Sequence, residues 1–383
     1  MKKFLTVLSY ILVAMAAAVL TLAISMPRHS TSISKLDHLS QLIQAVFIEE
    51  PDVAAMEDAA AAAMVDSLGD RWSYYMNKED YAEYVMQMAN AYVGIGVTVT
   101  QEEDGYVHVL RVEVGSPALD AGMKAGDVIV AVEGQDIGGM TLDEVKNKIR
   151  GKEGTPVKLT VRRGEESLEL TIIRGKIQVA VAKGEMLEDG IGLVQIVNFD
   201  GRCSEETIAI VEDLLAQGAQ KLIFDVRYNP GGYQVELVKI LDYLLPEGPL
   251  FRSVNYAGEE KVDHSDARCL EIPMAVLING DSYSAAEFFA AALSEYDAAV
   301  TVGEPTTGKG YFQNAFQLVD GSAAVISIGK YTTPKGVSLA DVGLTPDITV
   351  NVDEEQYLEI YYGNVAPMED PQILAAIEAL KAG

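Results

Sequence analysis

The stretch Ala275-Val276-Leu277-Ile278-Asn279-Gly280-Asp281-Ser282-Tyr283-Ser284-Ala285-Ala286-Glu287 passes from an unbroken apolar segment through a polar turn into small, helix-forming residues. Apolar residues without alternation predict a strand buried on both faces, here Met274 to Ile278. The alanines predict a helix from Ala285 to Leu293. The turn between them carries the hydroxyls of Ser282, Tyr283 and Ser284 to the start of that helix. A matching unit lies upstream, where Leu222-Ile223-Phe224-Asp225-Val226 leads through Arg227-Tyr228-Asn229-Pro230-Gly231-Gly232-Tyr233 into a helix predicted from Gln234 to Leu245. With a strand at Ile191 to Gln195 and a helix at Glu205 to Gln217, strand and helix alternate through this part of the chain. That is the pattern of an α/β layer built on βαβ units. A β-rich finish is expected from Asn314 to Val352.

Working back from this layer, the period changes to two. Val97-Thr98-Val99, Val107 to Val112 and Val128 to Val132 are separated by glycine-rich turns. A helix at Leu142 to Ile149 and strands at Val157 to Arg162 and Ser167 to Ile173 complete a small β-rich unit over residues 93–176. Residues 30–92 read as helical. Leu36, Leu39, Leu42, Ile43, Val46 and Phe47 recur at helical spacing, an alanine-rich stretch follows, Gly69-Asp70 interrupts it, and a tyrosine-rich helix is expected from Lys78 to Tyr92. At the start, Lys2 and Lys3 precede an apolar run from Phe4 to Met26. Such a run is about the ~20 residues that span a bilayer and exceeds the ~7–15 of a secretory signal core. An uncleaved anchor within residues 1–29 is therefore expected, with the N-terminus cytoplasmic and residues 30 onward outside.

Composition narrows the partners. The 29 basic residues face 57 acidic ones, a formal net charge of -28, and no Lys/Arg-rich block occurs, which argues against nucleic acid. Cys203 and Cys269 stand outside any metal-binding spacing, so no metal and no cofactor is expected. A disulfide between them is allowed in an oxidising compartment.

The chemistry-bearing residues lie in the turns. Ser284 is exposed at a strand-to-helix turn, but a serine hydroxyl is a weak nucleophile until a base takes its proton. His29, His38, His108 and His264 are scattered, and none adjoins such a motif. Lys309 stands between Gly308 and Gly310 after a strand. A lysine serves as base if desolvation lowers its pKa from about 10.4, and Ser-Lys is a known variant of triad logic. The Gly231-Gly232 turn at a helix N-terminus suits a developing oxyanion, although it is equally a plain strand-to-helix connection. Consecutive amides in the Gly94-Ile95-Gly96 turn can form an anion nest beside a strand edge, although such glycines also serve simply in tight turns.

Gly115-Ser116-Pro117-Ala118, Ala121-Gly122-Met123-Lys124-Ala125-Gly126-Asp127-Val128-Ile129 and Val132-Glu133-Gly134 together resemble the PDZ family. Over nearly its whole length the chain resembles the carboxyl-terminal processing, or tail-specific, proteases of S41 type. The resemblance rests on Asn229-Pro230-Gly231-Gly232, the serine-rich turn at 282–284, Gly308-Lys309-Gly310, the Lys330-Tyr331-Thr332-Thr333-Pro334-Lys335-Gly336 run and Gly343-Leu344-Thr345-Pro346-Asp347, in that order. It implies a crotonase-like α/β protease core over residues 177–352, an inserted PDZ domain at 93–176, a helical N-terminal region at 30–92 and a partly helical tail at 353–383. It further implies Ser284 as nucleophile, Lys309 as base, Gln313 as the residue orienting the lysine, and the amides of Gly232 and Ala285 as oxyanion donors. Gly94, Ile95 and Gly96 would hold the C-terminus of a polypeptide substrate, and dimerisation is a family expectation. Ala286 replaces a common serine and Glu295 a common aspartate, which lowers the weight of Glu295. The competing reading is a PDZ-bearing binding protein with a dead protease core. Retention of Ser284, Lys309 and Gln313 together argues against it.

Overall fold

Six strands build the central sheet, in the order Ala182–Met186, Ile191–Ile196, Lys221–Asp225, Met274–Ile278, Ala299–Gly303 and Ile348–Thr349. The computed structural model of the protein describes residues 34–102 and 104–382. All neighbours pair parallel except the first two strands, which are antiparallel. Parallel strands covered on both faces must be apolar throughout, and Met274–Ile278 is buried at every position. Alternate residues serve opposite layers. Val194, Phe224 and Val276 pack with the helices Cys203–Ala216, Gln234–Leu244 and Ala285–Glu295. Leu193, Ile223, Ala275 and Leu277 meet Ile373, Ala376, Ile377 and Leu380 of the helix Pro371–Ala382. The expected tail thus supplies a layer of the core.

A second sheet, of which the sequence indicated only the β-rich stretch from Asn314, joins Tyr74–Met76, Ala323–Thr332, Gly248–Asn255 and Glu260–Ser265, with Tyr311–Gln317 also paired to Ala323–Thr332. The helix expected to reach Tyr92 instead spans Lys78–Met88. Asn90 takes a left-handed φ of 47° and ties its amide to Asn198 and the Gly201 carbonyl. The chain then continues as the strand Ala91–Gly94.

The segment expected to be a PDZ domain has its own sheet, ordered Val97–Gln101, Val107–Val112, Val128–Val132, Pro156–Arg163 and Glu166–Ile173, and its own core around Val109, Ile129, Leu159 and Ile172. Val97–Gln101 is an edge strand. Entry and exit run side by side, since Ala91–Gly94 pairs antiparallel with Gly175–Gln178. Arg163 closes on the buried Asp127 at 2.6 Å and on the Gly122 carbonyl.

Contacts separate residues up to Ser67 from the rest as a unit of their own. In it, Lys35–Val46 begins with a capping box between Ser34 and Asp37, and Val53–Asp66 begins at the Asp52 cap. Leu36, Leu39, Leu42, Val46 and Phe47 remain exposed. The anchor expected within residues 1–29 lies outside the described residues, and among the described residues no helix is long and apolar enough to cross a membrane. Cys203 is buried, Cys269 is half-buried, and both are free thiols, so the allowed disulfide is not formed.

Candidate active site

Three neighbouring parallel strands end at one place, and the segment that leaves each carries one of the sequence-predicted groups. Ligand sites in open α/β sheets form beyond these carboxyl ends. Lys221–Asp225 leads to Gly231 and Gly232, Met274–Ile278 to Ser284, and Ala299–Gly303 to Lys309. All four residues line one cleft of about 970 Å³, together with Ala285, Gln313, Trp72, Tyr283 and Tyr331.

The first two turns interlock. Tyr228 donates its amide to Asn279 Oδ1 at 3.0 Å, Tyr283 donates its amide to the Asn229 carbonyl at 3.1 Å, and Ser282 Oγ donates to the Val226 carbonyl at 2.8 Å. The base of the first turn is anchored by the buried Arg227, which pairs with Asp225 at 2.7 Å and Asp370 at 2.8 Å. These carboxylates hold its guanidinium firmly charged against the opposing cost of burial. Approach between the turns is close enough to exclude any side chain: a Cβ on Gly231 would lie 2.7 Å from the Ser284 Cβ, and Gly231 has φ 87°. Ser284 itself sits at φ 59°, ψ -125°. That region is rare for a residue with a Cβ and lifts the side chain out of the turn. Among the described residues, no acceptor takes the amides of Gly232 or Ala285.

One buried carboxylate joins the serine turn to the lysine loop. Glu287 Oε2 accepts from the amides of Ser284 and Lys309, each at 2.9 Å. Its Oε1 accepts from Thr306 Oγ1 at 2.5 Å and the Gly308 amide at 2.7 Å. Burial pushes the Glu287 pKa up, and four donors pull the other way. With both oxygens occupied by donors, we assign the ionised form. Sequence reasoning saw Glu287 only as part of a helix start. The signal that could have found it is the Ser-x-x-Glu capping-box pattern, of which the structure forms the half that runs from the Ser284 amide to the Glu287 carboxylate.

Lys309 is half-buried. Desolvation pushes its pKa down to about 8, against the pull of the Glu287 and Asp70 carboxylates. Its Nζ stands 4.7 Å from the centroid of the Trp72 ring and 5.9 Å from that of Tyr283. Ser284 Oγ accepts a hydrogen bond from the buried Tyr331 hydroxyl at 3.2 Å. Among the described residues no hydrogen bond joins Lys309 Nζ to Ser284 Oγ. Gln313, expected to orient the lysine, instead donates its amide to the Tyr311 carbonyl at 3.1 Å and to Ser327 Oγ at 2.9 Å. The group acting electrostatically on Lys309 from that side is Asp70, itself held below the usual carboxylate range by Ser327, Ser73 and the Trp72 amide in spite of burial. Glu295 accepts from Thr333 Oγ1 at 2.6 Å and from the Lys335 amide at 2.7 Å, fixing the run that bears Tyr331.

The proposed peptide-terminus loop differs from expectation at its first residue. Gly94 is paired with Gly175 in the entry strand. Ile95 is buried, and the carbonyls of Ile95 and Gly96 accept from the amides of Ala118 and Glu113. Among the described residues the amides of Ile95 and Gly96 have no acceptor, and they adjoin the free edge of Val97–Gln101. No group of three or more metal-ligating side chains occurs among the described residues.

Comparison with known proteins agrees with this layout. Residues 190–350 match Peptidase family S41 and residues 108–163 a PDZ domain. The carboxy-terminal processing protease CtpA of Bacillus subtilis is 32% identical over 331 residues, covering 85% of this chain and 71% of that protein. A "Probable CtpA-like serine protease" of Staphylococcus aureus is 30% identical over 334 residues, covering 86% of this chain and 67% of its own. A candidate S41 protease structure from Bacteroides fragilis superposes with a TM-score of 0.53 at 17% identity, over 90% of this chain and 97% of that one, a likeness of fold. The chain therefore belongs to peptidase family S41, as a carboxy-terminal processing serine protease with a PDZ domain.

Proposed function

We propose that the protein cleaves extended or partly unfolded polypeptides outside the cytoplasm through an acyl-enzyme on Ser284, with Lys309 as base, and that its PDZ domain receives substrate C-termini. The supporting observation is that a serine, a desolvated lysine and two unclaimed amides converge at the ends of three adjacent strands. In the reaction, Lys309 Nζ leaves the Trp72 face and takes the Ser284 proton as Oγ attacks the scissile carbonyl. The tetrahedral oxyanion lies against the Gly232 and Ala285 amides. Lys309 then returns the proton to the leaving amine, and water activated by the same base releases the acyl chain. Tyr331, by donating to Oγ, leaves the serine proton free for the base. Gln313 acts on Lys309 through the Ser327 and Asp70 network rather than by touching it.

The edge strand Val97–Gln101 is the surface on which an extended peptide adds a strand, with the Ile95 and Gly96 amides at its carboxylate end. The apolar run from Phe4 to Met26 supports membrane anchoring with the catalytic part outside. Ser284→Ala and Lys309→Ala should each lower cleavage of unfolded casein by about a thousandfold or more, and the double variant should be little worse than either. Retained turnover by Ser284→Ala would overturn the mechanism. A fluorophosphonate probe that fails to label Ser284 in the intact protein would favour the inactive, PDZ-binding alternative.

A further inference from the structure

Asp200 has no part in the mechanism above, yet it lines the same cleft. It follows Phe199, which bridges to Gly232 in the oxyanion turn. The residue is only 9% exposed, and among the described residues its buried Oδ1 has no hydrogen-bond partner. A Cβ on Gly232 would meet that oxygen at 2.6 Å, just as one on Gly231 would meet the Ser284 Cβ at 2.7 Å. Carboxyl and nucleophile therefore flank a single two-glycine turn, next to the bond to be cut.

Among the described residues no basic side chain pairs with this carboxyl. Burial pushes its pKa up to about 7, with no cation to offset it. Arg202, two residues on, turns its two terminal nitrogens to Glu206 and to the carbonyls of Asn90 and Val179; its Nε is buried without a partner among the described residues, and no hydrogen bond or electrostatic pull links it to Asp200. The cations of the cleft, Arg71 and Lys309, both stand over Trp72. A buried carboxyl lacking a partner is costly, and a cation brought by a ligand removes that cost. The neighbours that feel Asp200 electrostatically include Tyr84, Tyr233 and Tyr283. Their rings offer the surface on which the stem and charged head of a long basic side chain rest.

We propose that Asp200 is a specificity-determining residue that receives the ammonium or guanidinium of a substrate lysine or arginine beside the scissile bond. The proposal rests on the protease function above and adds its substrate class. The test is digestion of unfolded casein by the intact protein, with the new termini read by mass spectrometry. Lysine and arginine should be enriched about tenfold within two residues of the cut bonds, and the enrichment should vanish in Asp200→Asn. Acetylating the casein lysines examines the same charge from the substrate side, independently of how the variant folds. Cuts at lysine should disappear for the wild-type enzyme while cuts at arginine persist. Equal enrichment in wild type and Asp200→Asn, cuts at acetyl-lysine undiminished, or cleavage without basic preference would overturn the role of Asp200 and leave the protease function standing. A wild-type protein that cuts casein no better than Ser284→Ala would overturn that function, and the proposal with it.

Discussion

With Lys309 as the proposed base, its protonation sets the pH dependence. Only a neutral amine can take the serine proton, and desolvation lowers the Lys309 pKa to about 8, so the reactive fraction rises as pH increases through that value. The ratio kcat/KM should climb about tenfold per pH unit below pH 8 and level off above it. Lys309→Arg should be inactive across the range, because a guanidinium stays charged. A profile flat from about pH 6 to pH 9 would remove Lys309 from the role of base. At this scale a hydroxyl-rich turn marked Ser284, whereas a lysine between glycines is by itself more often a solvated charge, and Lys309 was singled out by the family motifs around it. The sequence marked Asp70 only as a break in the helical pattern, with no role, and was silent on Asp200. Their importance comes from what long-range folding brings against them, Lys309 and Ser327 in one case and the Gly232 turn in the other.

Between elements, the decisive joint is the one Glu287 makes from the elbow helix Ala285–Glu295 to the loop that bears Lys309. A carboxylate can accept all four of its bonds. An amide offers one acceptor oxygen and turns an N–H₂ group toward donors that have no other partner. Glu287→Gln should therefore cost about 3 kcal/mol of stability and lower kcat more than KM, because the serine and lysine lose their common register. Urea unfolding together with steady-state kinetics checks both parts, and an unchanged midpoint with full activity would contradict this account. Ala182–Met186 went unread, and Ala299–Gly303 and Ile348–Thr349 were left without bounds, but the other three strands of the α/β layer and the helices that follow them were legible to within a residue or two, since buried parallel strands are continuously apolar. The hairpin Gly248–Asn255 and Glu260–Ser265 was not. It carries a bulge between Pro249 and Phe251 and many polar residues, so neither a clean alternation nor an apolar run marks it. Tyr74–Met76 is only three residues long and becomes a strand by pairing with Val325, Ala324 and Ala323.

For the whole molecule, the sensing and cutting parts make a distinct demand. If the Ile95 and Gly96 amides receive a free carboxylate, one peptide with a free apolar C-terminus should be cut faster than the same peptide amidated, by about fivefold to a hundredfold for a typical coupling energy. Equal rates on the intact protein would reassign the PDZ domain to scaffolding. The order of parts was readable because each has its own periodicity. The junctions were not, because they depend on pairing between residues far apart in sequence, as between Asn90 and Asn198.

The paired strands at 91–94 and 175–178 have a consequence for how such a protein can be rebuilt. Ala91 faces Gln178 and Gly94 faces Gly175, so the chain leaves the catalytic layer and re-enters it one strand spacing away, about 5 Å. To the core, everything between these points is a loop whose two ends are held side by side by the paired strands, whatever its length. A different recognition module with equally close termini could be spliced in at this seam without retying a single strand of the sheet that holds the serine and the lysine. Reading of a chain end by the inserted module and cutting by the core would thus be exchangeable independently of each other, while any selection made in the cleft itself stays with the core.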